Sequence, residues 1–362
     1  MKIAVLGGGN GSFAAAGDFA LSGHEVRLWR RDAAQVAAHR SAGSGILVKD
    51  HNGRHDVKLA LVTNDMAEAV DGTELIVCPA PAFAQADIAH LLAPHLRDGQ
   101  VVFLPPATFG SMIFAQAARD AGNHAKASFA ETGTLPWLTR KHGPFEVAIT
   151  IRAKRLPVGV FPLDQAPHAL EVIGRAFPDA IEPCGDALSG ALMNAGPIIH
   201  PPLIVMNVGP IEHFERWDIH KEGTQAAIRR VTDALDAERI AVREALGYGA
   251  PHFPLAHHYA REGEIWMYGR GSHDRLTDSG DWRERIVLTE HRYMREDLRL
   301  GLSLLVSVAG LAGVATPLAK AFLSIGGAVC GEDFARGGRT LETLGLDNLG
   351  KAELQTLLRN GF

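Results

Sequence analysis

Lys2-Ile3-Ala4-Val5-Leu6-Gly7-Gly8-Gly9-Asn10-Gly11-Ser12-Phe13-Ala14-Ala15-Ala16 reads as a buried strand, a glycine turn and the opening of a helix. That order is the context in which a glycine fingerprint binds the pyrophosphate of a dinucleotide. Gly7 permits the tight turn and Gly9 lets the backbone approach the phosphates. Asn10, Gly11 and Ser12 then open a helix whose first amides supply donors and a positive dipole end. Ser12 stands where a third glycine is usual, which predicts a slightly wider turn or a hydroxyl aimed at phosphate.

Working outward, short β-branched runs alternate with helical stretches as far as about Pro183, the pattern of a parallel sheet built from strand-helix-strand units. Expected strands are Lys2–Leu6, Glu25–Trp29, Leu59–Val62, Leu75–Cys78, Val101–Leu104 and Lys126–Phe129, with a further extended pair at Val147–Arg152 and Leu156–Phe161. Beyond Asp186 strand signals vanish. Thr224–Leu246 instead places Ile228, Val231, Leu235, Ile240 and Val242 among charges, which is amphipathic helix. The expected fold is therefore an α/β Rossmann domain with a mainly parallel, doubly wound sheet over residues 1–185, followed by a mainly α-helical domain over 186–362. A length of 362 residues suits two cores.

A composition 46% hydrophobic and 21% charged, with a net charge of −5, is that of a globular protein. Without a basic tract it lacks the electrostatic footprint of a nucleic-acid binder. No export signal or membrane span is read, since the apolar run Leu300–Val314 falls short of the roughly 20 residues a bilayer needs. Cys78, Cys184 and Cys330 lie far apart in no ligand spacing, so buried thiols in a cytoplasmic protein are expected. The stretches Leu300–Val314 and Pro317–Val329 suit either core or a helix-on-helix interface, and a homodimer is favoured.

The second strand ends in Arg30-Arg31-Asp32. A carboxylate at this point usually holds the two ribose hydroxyls of NAD, whereas guanidinium groups bind a 2′-phosphate. The arginine pair favours NADP(H) over NAD(H); the alternative is two solvated arginines with Asp32 on the ribose.

In the second half, Asn194-Ala195-Gly196-Pro197-Ile198-Ile199-His200-Pro201-Pro202 sets one histidine in an apolar stretch, with Asn207, Gly209 and Glu212 after it. Alone, such a histidine is more often a hydrogen-bonded core residue than a catalyst. Thr289 to Asp297 adds carboxylates that could orient an imidazole and arginines that could clamp a substrate carboxylate, although a solvated charged helix face also fits.

Taken together, these segments resemble the opine dehydrogenase (octopine/nopaline dehydrogenase) family along nearly the whole chain. The resemblance is carried by the Gly7–Gly11 turn, Pro79-Ala80-Pro81-Ala82-Phe83, Glu131-Thr132-Gly133-Thr134-Leu135-Pro136, Asn194 through Pro201, Arg292-Tyr293 with Glu296-Asp297, and Gly338-Arg339-Thr340-Leu341. It implies reductive condensation of an amino acid with a 2-oxo acid such as pyruvate. It further implies a catalytic dyad of His200 and Asp297, Arg292 on the carboxylate of the 2-oxo acid, and Asn194 near the nicotinamide. Asn207 and Glu131 are expected at the substrate and Pro79 at the cofactor, within a cleft across which the dyad meets.

Three departures from the family pattern stand out: Phe13 for a histidine, Pro105-Pro106-Ala107 for an Asn-Pro-Gly-like turn, and Leu298-Arg299 for a Val-Pro-like pair. Arg299 is expected to be solvated, or to add a charge near substrate. The histidines of His252-Phe253-Pro254-Leu255-Ala256-His257-His258 have no thiolate or carboxylate at ligand spacing, so a lid or pocket loop is expected and no metal. Two other readings stand beside the first. One is a 2-oxo acid or 2-hydroxy acid dehydrogenase that consumes no amine; the other is a catalytically silent nucleotide sensor.

Overall fold

A computed structural model describes all 362 residues. The chain divides into two units: Met1–Ala191 together with Leu358–Phe362, and Leu192–Leu357.

The first unit contains β1 (Lys2–Leu6), β2 (Glu25–Trp29), β3 (Gly45–Asp50), β4 (Gly53–Lys58), β5 (Leu61–Thr63), β6 (Leu75–Val77), β7 (Val101–Leu104), β8 (Ser128–Thr132), β9 (Trp137–Gly143), β10 (Glu146–Arg152), β11 (Leu156–Phe161) and β12 (Ile181–Asp186). Eight of them form one sheet in the order β12-β11-β8-β7-β6-β1-β2-β5. From β5 to β8 every pairing is parallel. Strands of this kind, covered on both faces, read as unbroken apolar runs, and β6, β7, β8 and β11 are buried throughout. The exception to parallel order is β11, which runs antiparallel to β8 and parallel to β12.

The extended segments Val147–Arg152 and Leu156–Phe161 are both strands, but they lie in different sheets. β10 belongs to a separate sheet of order β4-β3-β10-β9, while β11 joins the main one. This second sheet was not anticipated. β3 and β4 form a hairpin that turns through His51-Asn52, with Gly53 at φ +125°, and β4 is too polar to show a strand period. The small sheet lies on helix α1 (Asn10–Leu21). A Cβ at Gly17 would come 2.5 Å from Val48. Asp18 accepts from Trp137 Nε1 at 2.7 Å and from Arg152 Nε at 2.8 Å.

The domain boundary falls later than Asp186. The short helix Ala187–Ala191 stays with the first unit because two glycines allow backbones to touch: a Cβ at Gly190 would sit 2.6 Å from the Glu131 carbonyl, and one at Gly159 would overlap the Asp186 carbonyl. The C-terminus also returns to this unit. Phe362 meets Phe161 edge-on at 5.6 Å, and the Arg119 guanidinium lies 4.2 Å over its ring.

The second unit is helical, apart from a two-residue ladder between Trp217–Asp218 and Arg283–Glu284. The amphipathic helix runs Ala226–Ala245 and buries Ile228, Thr232, Leu235, Arg239 and Val242 at helical spacing. Leu302, Leu304, Leu305, Val308, Ala319, Phe322 and Leu323 are all buried. Each apolar stretch thus gives one face to the core, while Ile325 in the second stays 47% exposed. No helix is long and apolar enough to cross a membrane.

Candidate active site

At the first glycine turn, Gly7 has φ +120°, open to glycine without strain, and a Cβ there would lie 2.6 Å from Ser12 Oγ. Ser12 is buried, and its hydroxyl faces the Leu6 carbonyl at 3.4 Å. That contact braces the turn against the end of β1. Gly9 caps α1 without any side-chain hydrogen bond, and nothing lies within 4 Å of where its Cβ would be. The first amides of α1 therefore face an open cradle, which fits a pyrophosphate. Pro79 and Leu135 close the side, each with an atom 3.1 Å from a Cβ at Gly11. Asn10 accepts from the Lys141 amide at 3.0 Å, so its side chain ties β9 to the turn.

The Arg30-Arg31-Asp32 run separates into three roles. Asp32 caps helix α2 (Ala33–Ser41), accepting from the Ala34 and Gln35 amides at 2.8 and 3.1 Å. Arg31 points into solvent, 3.5 Å from Asp87. Arg30 is buried: its guanidinium lies 5.3 Å over Phe13, donates to Gln35 Oε1, and its Nε would be 3.0 Å from a Cβ at Gly8. Burial lowers its pKa, against the pull of Asp32. Sequence reasoning missed Lys141, whose ammonium lies 3.7 Å over the same Phe13 ring and donates to the Gly8 carbonyl at 3.4 Å.

Glu131, expected at the substrate, is fully buried and used internally. Its carboxylate accepts from the Phe109 amide at 2.8 Å, from the Ser111 amide at 3.2 Å and from the Ser111 hydroxyl. The two residues it pins in the turn after β7, Thr108 and Phe109, have φ of +55° and +64°. Left-handed backbone at non-glycine residues is costly and persists where neighbours over-determine it. Asn207 is likewise structural: it is buried and donates to the Leu203 and Gly223 carbonyls at 2.9 and 3.2 Å.

The dyad forms within the helical unit, not across a cleft. His200, in the helix Gly196–Met206, places Nδ1 2.8 Å from Asp297 Oδ2. Asp297 is buried in a π-helix, Tyr293–Leu302, whose i→i+5 hydrogen bonds widen the turn. The two helices meet through glycines, since a Cβ at Gly301 would overlap Pro197 and one at Gly196 would overlap Asp297 Oδ1. Asn194 accepts from the Gly196 amide at 3.0 Å, fixing the start of the first helix. Burial pushes the Asp297 carboxyl up to about 7, against the charges of Arg292 and His291.

Arg292, five residues before Asp297, precedes the π-helix. Five residues put side chains on different faces of an α-helix but bring them nearly into line when hydrogen bonds run i→i+5. Its side chain keeps 52% of its surface open, with Nε 3.8 Å from Glu296. Desolvation pulls its pKa down, but Glu296 and Asp297 more than offset that and raise it.

Two further residues were missed. Tyr293 stacks on the His200 ring at 3.6 Å and 9°, and its hydroxyl meets His220 Nε2 at 3.0 Å. The only sequence signal was the position of Tyr293 beside Arg292. Arg299 is half-buried and pairs with Glu332 at 3.5 Å. His258 is buried against Trp266, and no group of three or more His, Cys, Asp or Glu is placed to hold a metal ion.

The alpha-helical domain of NAD/NADP octopine/nopaline dehydrogenase matches residues 183–330. The N-terminus of NAD-dependent glycerol-3-phosphate dehydrogenase matches residues 2–104. An opine dehydrogenase of Arthrobacter sp. (strain 1C) is 28% identical over 361 residues, covering 98% of this chain and 97% of its own. A vitopine synthase of Allorhizobium ampelinum is 27% identical, covering 95% of each. Among solved structures, octopine dehydrogenase in complex with NADH and agmatine superposes with a TM-score of 0.75 at 19% identity, over 100% of this chain and 98% of that one. NADP+-bound yersinopine dehydrogenase gives 0.66 at 13% identity, over 99% and 98%. At such identities the superpositions establish a shared fold.

Proposed function

The chain belongs to the octopine/nopaline dehydrogenase family, and from that premise we propose that it joins an amino acid to a 2-oxo acid such as pyruvate by NAD(P)H-dependent reduction of their imine. The observation that carries this reading is the His200–Asp297 pair at 2.8 Å, with Arg292 in the same segment and both partners inside the family-matched region.

Asp297 on Nδ1 holds the imidazole in one orientation and leaves proton exchange to Nε2. We assign to His200 the removal of a proton from the substrate ammonium, so that the nitrogen lone pair attacks the keto carbon. The same atom then returns a proton to the hydroxyl that leaves as water, forming the C=N bond. Arg292 holds the carboxylate of the 2-oxo acid by paired charge-assisted hydrogen bonds. The nicotinamide supplies the hydride that converts imine to secondary amine. Within the first unit, Gly7, Gly9, Gly11 and the opening of α1 hold its pyrophosphate, bordered by Pro79; we assign Asn194 to the nicotinamide end.

NADPH is the assigned donor. Support comes from Arg30 and Arg31 at the end of β2, while Asp32 beside them spends one carboxylate oxygen, Oδ1, on its helix cap. A carboxylate there would repel a 2′-phosphate, whereas a guanidinium attracts it. Three free cysteines suit a cytoplasmic enzyme.

The test is oxidation of NADPH and of NADH with pyruvate, with and without pooled amino acids. Oxidation that needs both the oxo acid and an amine supports the reading, and splitting the pool names the amino acid. Turnover with the oxo acid alone would replace it by a 2-hydroxy acid dehydrogenase. Cofactor binding without turnover across a wide substrate panel would favour the sensor.

A further inference from the structure

We propose that Lys141 reads the 2′-phosphate of the cofactor together with Arg30, making the small sheet that carries it the determinant of nucleotide choice. This rests on the cofactor assignment above and names the residue that enforces it.

Two cations from distant parts of the chain converge on Gly8. Arg30 leaves the end of β2 and lays its guanidinium against that glycine; Lys141 comes from β9 and donates to the Gly8 carbonyl at 3.4 Å. The Lys141 amide bonds to Asn10 Oδ1 at 3.0 Å, which fixes the backbone beside the turn. Both charges lie over one aromatic ring, at 3.7 Å for Lys141 and 5.3 Å for Arg30 from the Phe13 centroid. A ring attracts cations without neutralising them.

Neither Arg30 nor Lys141 forms an ion pair. The carboxylate that acts on Arg30 through space, Asp32, is held at its helix cap. Burial and then the charge of Arg30 lower the pKa of Lys141; burial first, and to a lesser degree both cations, lower that of His39, which stacks on Phe13. The protein thus holds close positive charges that its own carboxylates leave uncompensated. They lie at the turn and the end of β2, where a dinucleotide of this fold places its adenosine ribose. A phosphate monoester carries close to two negative charges near neutrality and complements that pair; a ribose 2′-hydroxyl brings no charge. Arg31, solvated and paired with Asp87, is the lesser contributor.

The experiment is calorimetric titration of the protein, and of Lys141→Met and Lys141→Arg, with NADPH, NADH, 2′,5′-ADP and 5′-AMP. The unsubstituted protein should prefer 2′,5′-ADP to 5′-AMP. Lys141→Met should weaken NADPH and 2′,5′-ADP about tenfold or more, the size of a lost charged hydrogen bond, with NADH and 5′-AMP changed by less than about threefold. Lys141→Arg should keep most of the preference. Retained 5′-AMP binding shows that the first unit is folded. Equal losses for NADH and NADPH would overturn the proposal, as would an unsubstituted protein indifferent to the 2′-phosphate. Because the readout is binding, its failure leaves the amine-dependence test, and with it the opine reading, untouched.

Discussion

Asp297 reaches His200 past a residue with no side chain: a Cβ at Gly196 would overlap Asp297 Oδ1, the oxygen neighbouring the one that meets the imidazole. Gly196 begins the helix that carries His200, so one small residue sets both the helix start and the access of its partner. Gly196→Ala should displace the carboxylate and lower kcat by roughly 10²–10⁴-fold, the usual worth of positioned acid-base help. Steady-state rates should show the loss while NADPH titration shows cofactor binding retained. A kcat within threefold of the parent would remove the importance given to this approach.

The dyad carries a proton into the neutral range, because burial holds the Asp297 carboxyl near 7. A group whose pKa is raised on folding favours the folded state most below its unfolded value and loses that contribution as pH climbs through the folded value. Asp297→Asn should therefore gain in Tm relative to the parent between pH 4 and pH 8. In the same variant the change in kcat/KM near pH 7 should disappear. A Tm difference independent of pH would contradict the assignment.

Glu131 holds two left-handed residues in place, so its loss should register as instability. Glu131→Gln replaces an acceptor of three hydrogen bonds by a group with one acceptor oxygen, leaving a buried amide short of a partner at a cost of about 1–3 kcal/mol. Urea unfolding should show a lower midpoint. An unchanged midpoint with a raised KM for the amino acid would return Glu131 to the substrate.

Leu358–Phe362 belong to the first unit, with Phe362 held between Phe161 and Arg119 and Leu358 buried. Removing these five residues should destabilise the first unit, lowering its Tm, by the worth of one buried leucine and one aromatic contact, about 2–4 kcal/mol of unfolding free energy. An unaltered thermal transition would show that the return of the C-terminus does not stabilise it.

The strands that a reader of the chain finds are those with unbroken β-branched runs, because a sheet covered on both faces requires them. β3 and β4 escaped that reading: their exposed faces are polar, and the turn before Gly53 was the one local signal. The His200–Asp297 pair could be named through resemblance, but not its setting. Nothing in the residues from Tyr293 to Leu302 announces the π-helix that carries Asp297. Glu131 and Asn207 show the reverse error. Polar residues in the right segments suggested ligand contact, whereas burial turned their hydrogen bonds inward to backbone groups that would otherwise lack partners.

What this sequence determines alone is local: a strand, glycine turn and helix that cradle phosphate, two cores, and the residue types of an acid-base pair. Each follows from backbone sterics and hydrophobic period over a few neighbouring residues. Tertiary structure decided which distant groups share a site. Lys141 reaches Gly8 across 133 residues and Asp297 reaches His200 across 97, distances over which no local propensity acts. Packing through Gly196, Gly301 and Gly17 brings backbones close enough for those side chains to meet.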